Sequence, residues 1–280
     1  MEIADHVACL ASEGALLARA AERAGLDAPV PSCPGWRIRE LLGHLGFVHR
    51  WAAGYVAAGR TGEIETPGDE EIVGLAPADE LLLGWFRAGH AALVSVLSAA
   101  DPAVACWSFL AAPSPLAFWA RRQAHETAIH RVDAQLAAAA AVPGTELDPF
   151  PPGLAADGID ELLNGFAGRD PRSLSDSPAR LVVLADDGGS ALGWTVVMGS
   201  DDAGVSRCPV PSALAGAGLA AADAGPAVTA AAGEAYCEIR GPAPAVYLLL
   251  WNRGTAAGLD VRGDAGVLAR WREKMRVRWS

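Results

Sequence analysis

The chain reads RRQAHETAIHRVDA from residue 121 to residue 134, and this stretch carries the strongest structural signal in the sequence. It belongs to a longer run that predicts a helix from about Pro115 to Ala141. Glu126 and His130 stand four residues apart, about 400° of rotation on an α-helix, so both side chains project from nearly one face. A carboxylate and an imidazole placed in this way can share a metal ion.

A third metal ligand is expected from another helix, because two protein side chains seldom hold zinc tightly. His44 lies within LLGHLG at residues 41–46, in an otherwise apolar stretch of the second predicted helix. Antiparallel packing of the second and fourth helices can bring His44 to Glu126 and His130 in a bundle interior. Two plainer interpretations remain open: the Glu-x-x-x-His spacing also occurs in solvated ion pairs, and a histidine on an apolar face is often a core residue.

Two histidines and one carboxylate leave a coordination position open, which is the pattern of a catalytic zinc site. A soft thiolate is a favoured occupant of such a position. The metal would lower the pKa of that thiol and hold it as a thiolate at neutral pH. We therefore predict a divalent metal, with zinc as the expected ion, at His44, Glu126 and His130.

Three further helices are predicted in the first half of the chain, before the one that carries Glu126. Their limits are about 2–25, 34–58 and 77–99. Ser32 or Cys33 could lie at the cap of the second helix, with Pro34 in its first turn. Residues 60–77 contain several prolines and glycines and are interpreted as a long loop. Four long helices in this order predict a four-helix bundle with one or two long crossing connections.

A cluster of prolines and glycines at residues 143–153 marks a boundary, after which the sequence pattern changes. The predicted elements beyond it are a short helix at 157–166, a hairpin of 180–185 with 191–198, strands at 236–240 and 259–262, and helices at 243–251 and 264–275. Residues 211–229 are the most ambiguous segment. The fold class is therefore α+β, with a helical domain at 1–145 and a smaller α+β domain at 155–280.

Composition excludes several classes of partner. The net charge of −11 disfavours nucleic acid and anionic membrane surfaces. Five cysteines, an odd number without a C-x-x-C pair, argue against a disulfide framework and for a reducing cytoplasm. The N-terminus lacks the pattern of a signal peptide, and no run of about 18 uncharged apolar residues predicts a membrane span.

Two segments carry a family resemblance. SCPGWRIRELLGHL at residues 32–45 and FWARRQAHETAIHRVDA at residues 118–134 resemble the two N-terminal elements of the mycothiol-dependent maleylpyruvate isomerase family, within the DinB-like superfamily. Weaker similarity continues at residues 155–163, 248–254 and 260–264. The resemblance implies a DinB-like four-helix bundle followed by an α+β domain similar to sterol-carrier folds.

The resemblance also implies roles for particular residues. The family's metal ligands map onto His44, Glu126 and His130, and all three residue types match. Mycothiol, a cysteine-bearing pseudodisaccharide, is the implied thiol cosubstrate. An arginine of the C-terminal domain is implied to contact an anionic substrate, and Arg253 is the best match, with Arg240 second. Arg253 has an alternative interpretation as a cation at a helix C-terminus, where the helix dipole favours it.

Other polar residues of the fourth helix are weaker candidates. His125 and Arg122 are predicted to contact the cosubstrate, although a surface position for His125 and an ion pair for Arg122 are alternatives. Asp133 lies three residues after His130 and could orient its imidazole, although a surface aspartate is the plainer interpretation. Trp36 is interpreted as a core residue.

The predicted function is that of a metal-dependent enzyme in which the thiolate of mycothiol adds to an electrophilic small molecule. In the isomerase case this molecule would carry a carboxylate. Isomerase and transferase remain equal alternatives, because both need the same activated thiolate. Two other hypotheses are a metal-dependent hydrolase that needs no thiol and a non-catalytic protein that binds a small ligand.

Overall fold

A computed structural model describes residues 1–63, 74–188, 190–210 and 233–277. The chain divides into two compact units, Met1–Pro149 and Phe150–Val277. The predicted loop at 60–77 and the ambiguous segment at 211–229 fall partly or wholly outside the described residues.

The described residues of the first unit contain four long helices. They are α1 (Ile3–Ala24), α2 (Ile38–Ala58), α3 (Asp79–Ala99) and α4 (Pro115–Ala141). Helix α4 packs against α1 and α2, and α3 also packs against both of these helices. This arrangement confirms the predicted four-helix bundle and puts α2 beside α4.

Helix α4 is buried along most of its length, so it shows no single polar face. The Ser114 hydroxyl accepts a hydrogen bond from the Ala117 backbone N–H at 3.1 Å, and Pro115 occupies the first turn, where its missing N–H costs nothing. The polar side chains of α4 therefore point into the bundle, where each needs a partner.

Helix α2 begins at Ile38, four residues later than the predicted start at Pro34. The Glu40 carboxylate accepts the Arg37 backbone N–H at 2.8 Å, which closes the first turn of the helix. The residues before it form a tight turn instead, and a backbone bridge joins Pro29 to Arg37 across it. Ser32 and Cys33 consequently do not cap α2, and their side chains are available for other contacts.

Among the described residues, α3 is the one helix whose length and composition would permit a membrane span. Core helices commonly share that composition. In the bundle, α3 buries Leu82, Phe86 and Leu93 and packs on α1 and α2.

The second unit pairs a five-stranded sheet with short helices. Its strands are β1 (Ala179–Asp187), β2 (Ser190–Met198), β3 (Gly204–Arg207), β4 (Ala235–Pro242) and β5 (Asp260–Gly263), and its α-helices are α5 (Leu154–Asp160), α6 (Ala243–Leu250) and α7 (Ala265–Lys274). The order is β3-β2-β1-β4-β5, with β1 and β4 parallel and the other neighbours antiparallel. The α+β fold class is confirmed, and β3 is a strand that was not predicted.

The two faces of this sheet differ in chemistry. Helices α6 and α7 pack against β1 and β4, where Leu181, Val183 and Ile239 are fully buried. Because side chains alternate along a strand, Glu238 and Arg240 of β4 point to the opposite face. Both are also fully buried, and they form an ion pair.

Candidate metal centre

His44, Glu126 and His130 converge inside the helical bundle. The Oε1 atom of Glu126 lies 3.4 Å from Nε2 of His44 and 3.2 Å from Nε2 of His130. One ligand atom from each residue lies within 4.8 Å of the other two, and all three residues are buried. Two helices that are far apart in sequence therefore bring two imidazoles and one carboxylate to one point.

Local sequence explains this convergence. The i,i+4 spacing puts Glu126 and His130 on one side of α4. On α2, Leu41 and Leu45 flank His44 and are fully buried, so the apolar face that seats the helix also carries the imidazole inward.

The observed distances fit a small tetrahedral cation. Zinc bonds of about 2.0–2.1 Å to nitrogen and oxygen imply ligand-to-ligand separations of about 3.3–3.4 Å in a tetrahedron. The separations from Glu126 to His44 and to His130, 3.4 and 3.2 Å, agree with this value. Imidazole nitrogen and carboxylate oxygen are donors that zinc accepts readily, and three protein ligands leave one position for another group.

Two further side chains of α4 orient the ligands. Arg122 donates from Nη2 to Oε2 of Glu126 at 3.0 Å, which leaves Oε1 facing the imidazoles. Asp133 accepts at Oδ2 from Nδ1 of His130 at 2.8 Å, and its side chain is fully buried. The interpretation of Asp133 as a surface aspartate is therefore wrong, and its alternative role as an acceptor for the imidazole is confirmed. Such a bond holds Nδ1 as the protonated nitrogen and leaves Nε2 for the site.

The metal-free cluster is strongly coupled in charge. Burial disfavours the charged form of Glu126, but hydrogen bonds from His130 and His44 outweigh burial and hold its pKa well below the ordinary value. Burial likewise disfavours a charged His130, yet hydrogen bonds to Asp133 and Glu126 raise its pKa to about 9. Without a cation, both ring nitrogens of His130 thus carry a proton at neutral pH, the one on Nδ1 facing Asp133 and the one on Nε2 facing Glu126.

Both units of the chain match domains of one protein family. Residues 7–135 match the mycothiol maleylpyruvate isomerase N-terminal domain, and residues 153–270 match the C-terminal domain of the same family. The chain belongs to this family. The match spans the bundle with its three converging ligands and most of the second unit.

Solved structures show the same fold. Crystal structures of the mycothiol-dependent maleylpyruvate isomerase and of a histidine-to-alanine mutant of it each align with a TM-score of 0.59 over 93% of both chains. Sequence identity is 13% and 12%, so this likeness concerns the fold. No curated protein sequence matches the chain significantly.

In this family member, the turn before α2 lies against the cluster. The Trp36 ring centroid is 5.0 Å from that of His44 and 6.2 Å from that of His130. Ser32 donates to Oδ1 of Asp133, and the Cys33 thiol lies 3.4 Å from Oδ2 of the same carboxylate. These neighbours were not predicted, although the CPGW sequence at 33–36 marks the turn that carries them.

The predicted cosubstrate contacts on α4 occupy different surroundings. Arg122 is almost fully buried and is engaged with Glu126. His125 is fully buried, with its ring centroid 6.0 Å from that of His6, so the surface interpretation of His125 is wrong. Contact of either residue with a cosubstrate stays a prediction.

The two predicted arginines lie in the second unit. Arg240 is fully buried on β4 and ion-paired with Glu238. Arg253 follows α6, is partly exposed, and donates from Nη1 to the backbone oxygen of Trp251 at 2.9 Å. Their roles toward a substrate stay predictions.

Proposed function

We propose that the chain is a mycothiol-dependent enzyme whose divalent cation, zinc, is held by His44, Glu126 and His130. The observation that supports this is the convergence of the three donor atoms at separations that suit a tetrahedral cation. Family membership supports mycothiol as the thiol and a small electrophile as its partner.

The cation, when bound, supplies positive charge that lowers the pKa of a thiol at the open position. The chain's own residues prepare that position. Arg122 fixes the Glu126 carboxylate, and Asp133 keeps the proton of His130 on Nδ1. Both contacts reduce the freedom of the ligands before a thiol arrives.

The chemistry is addition of the mycothiol sulfur to an electrophilic carbon, such as one end of an activated double bond. A carbon–sulfur bond forms and the double-bond electrons move toward the activating carbonyl. In an isomerase, rotation about the resulting single bond is followed by loss of the thiol, whereas in a transferase the adduct, once protonated, is the product. A maleylpyruvate-type isomerisation is the first reaction to assay.

A carboxylate on the substrate needs a cation to contact. Arg253 is the better candidate of the two predicted arginines, because its side chain is partly exposed. Arg240 is fully buried beside Glu238, so its charge is already matched. Arg253→Met should raise KM for a carboxylate substrate while leaving metal content unchanged.

Elemental analysis of the purified protein tests the metal centre. The parent chain and a matched control, Glu22→Ala at an exposed glutamate, should hold near-stoichiometric metal, while Glu126→Ala and His130→Ala should lose it. Equal metal content in all four proteins would contradict the proposed site.

Thiol dependence separates this proposal from its rivals. The parent should convert substrate only when mycothiol is added, and a chelator should abolish that activity. Turnover without any thiol would favour a metal-dependent hydrolase. Unchanged ligand binding by a folded His44→Ala variant, with no turnover in the parent, would favour a binding protein.

A further inference from the structure

The turn at residues 31–36 is closed by its own backbone. The Val30 N–H donates to the Trp36 oxygen at 2.9 Å, and the Cys33 N–H donates to the Val30 oxygen at 3.1 Å. Gly35 has a φ of +89°, a conformation that favours glycine over residues with a side chain. The turn therefore presents Ser32, Cys33 and Trp36 in a defined arrangement.

Each of these three side chains contacts a metal ligand or the aspartate bonded to one. Trp36 lies against His44 and His130. Ser32 donates to Oδ1 of Asp133, and the Cys33 sulfur lies 3.4 Å from Oδ2. The same Oδ2 atom accepts from Nδ1 of His130 at 2.8 Å. A chain of hydrogen bonds thus runs from the turn, through a fully buried carboxylate, to one of the converging imidazoles.

We propose that Ser32 and Cys33 are positioning residues for the metal centre, acting on His130 through Asp133. This inference rests on the proposed function. It explains why a turn about 100 residues away in sequence carries polar side chains against a buried aspartate. Ser32 holds one carboxylate oxygen and Cys33 contacts the other, so the Asp133 carboxylate cannot rotate away from His130.

The energetic reason lies in the burial of Asp133. A buried carboxylate needs hydrogen-bond donors for both oxygens, and these donors fix the orientation of the carboxylate. With Oδ2 fixed on Nδ1–H, the Nε2 atom of His130 points toward Glu126 and His44. The Trp36 ring lies beside both imidazoles, tilted by 52° to that of His44 and within 20° of parallel to that of His130.

A rival arrangement uses some of the same atoms. Cys33, His130 and Asp133 also offer three donor atoms within 4.8 Å of one another. In that arrangement the Cys33 sulfur would be a ligand itself and not a contact of Asp133. The two possibilities differ in whether a protein thiolate binds the cation.

Equilibrium zinc affinity, measured by competition with a chromophoric chelator, tests the inference without relying on activity. Ser32→Ala should weaken zinc binding about tenfold, within the range found for groups that orient metal ligands. Ser32→Thr keeps the hydroxyl and should restore affinity to near the parent value. Ser98→Ala, at an exposed serine of α3, is the matched control and should bind zinc as the parent does.

Cobalt(II) provides a spectroscopic signature of ligand geometry. With cobalt in place of zinc and no added thiol, Ser32→Ala should shift the visible bands, whereas Ser32→Thr should keep the parent spectrum. A thiolate-to-cobalt charge-transfer band in the parent that disappears in Cys33→Ala would overturn the inference, because Cys33 would then be a ligand. Thermal unfolding of the metal-free variants confirms that each is folded.

The remaining outcomes are decisive in different ways. Zinc affinity of Ser32→Ala within twofold of the parent overturns the inference and leaves the metal centre intact. Equal weakening in Ser32→Ala and Ser32→Thr also overturns it, since the hydroxyl is then not the cause. A parent chain that binds no zinc removes both the proposed metal centre and the inference.

Discussion

Two buried glutamates of the helical bundle differ in what surrounds them. Glu13 of α1 meets the Arg131 guanidinium of α4 at 2.7 Å, and both side chains are fully buried. Glu126 of α4 meets two imidazoles and Arg122. Burial raises the pKa of Glu13 despite Arg131, whereas hydrogen bonds from His130 and His44 overcome burial and lower that of Glu126.

This difference in partners distinguishes a structural ion pair from a site where a metal ion can replace bound protons. A guanidinium group stays charged in proteins. That of Arg131 also donates to the Gln135 side chain and the Asp148 backbone oxygen. The partners of Glu126 include imidazoles, which become metal ligands once they are neutral. A buried carboxylate among imidazoles can therefore bind a cation when the imidazoles release protons. A buried carboxylate that is ion-paired with arginine cannot.

Removing the arginine should produce the largest effect. Arg131→Met leaves Glu13 buried without its partner and should lower the free energy of unfolding by about 3–5 kcal/mol. Urea unfolding followed by circular dichroism measures this loss. Metal content per folded molecule should stay near that of the parent, because the triad is on another face of α4.

The matched control is an exposed pair of the same chemistry. Arg87 lies 2.9 Å from Glu22, and both side chains are about half exposed. Arg87→Met should cost less than about 1 kcal/mol. Equal losses in Arg87→Met and Arg131→Met would contradict the structural role assigned to the buried pair.

Zinc should stabilise the parent through the other glutamate. At free zinc about 100 times its dissociation constant, binding only to the folded state adds about 2.7 kcal/mol. Thermal unfolding with and without zinc measures this gain. The gain should persist in Glu13→Gln and vanish in Glu126→Ala, and a zinc-dependent rise in Glu126→Ala would show that zinc binds elsewhere.

The pH should act on the two glutamates differently, because His130 adjoins only Glu126. The pKa of His130 is raised to about 9. Protonation of its ring therefore stabilises the metal-free fold fully below pH 6.5, and this contribution is lost as pH rises through 9. A ligating imidazole must be neutral, so zinc binding releases this proton. Apparent zinc affinity should increase about tenfold per pH unit as pH rises toward 9.

Chelator competition at several pH values, corrected for protonation of the chelator, measures that slope. Release of one proton changes the free energy of zinc binding by about 1.4 kcal/mol per pH unit. A zinc affinity that is independent of pH between 6.5 and 8 would contradict a doubly protonated His130 ring in the metal-free site.

The metal ligands were predictable because their signals are local. The spacing of Glu126 and His130 specifies a shared helix face, and the apolar neighbours of His44 specify an inward one. The contact of Ser32 with Asp133 was not predictable, because it joins residues 101 positions apart and depends on a turn conformation. The prediction that α2 begins at Pro34 was wrong for the same reason, since the proline belongs to that turn.

In the second unit, the strands that alternate clearly were predicted, and β3 was missed. Residues Gly204–Arg207 are four in number, with Val205 as the single apolar side chain, and they become a strand only by pairing with β2. Tertiary pairing of this kind outweighs local propensity in short edge strands.

The smallest expected change in the free energy of unfolding concerns two buried glutamines on α4. Among the described residues, neither amide atom of Gln123 has a hydrogen-bond partner, whereas Gln135 accepts from Arg131 and donates to Asp148. Gln123→Met removes unsatisfied polar atoms at similar volume and should raise the free energy of unfolding by about 1 kcal/mol. Gln135→Met should lower it by a similar or larger amount, because it removes the hydrogen bonds that the Gln135 amide makes to Arg131 and Asp148.

Urea unfolding of both variants measures these opposite changes. A loss of stability in Gln123→Met would mean that its amide atoms are hydrogen-bonded in solution. The expected gain instead identifies Gln123 as a polar group that the bundle tolerates at a cost, one turn from Glu126. In that case the two buried glutamines of α4 differ: hydrogen bonds to Arg131 and Asp148 hold the amide of Gln135, and the amide of Gln123 is buried without such bonds.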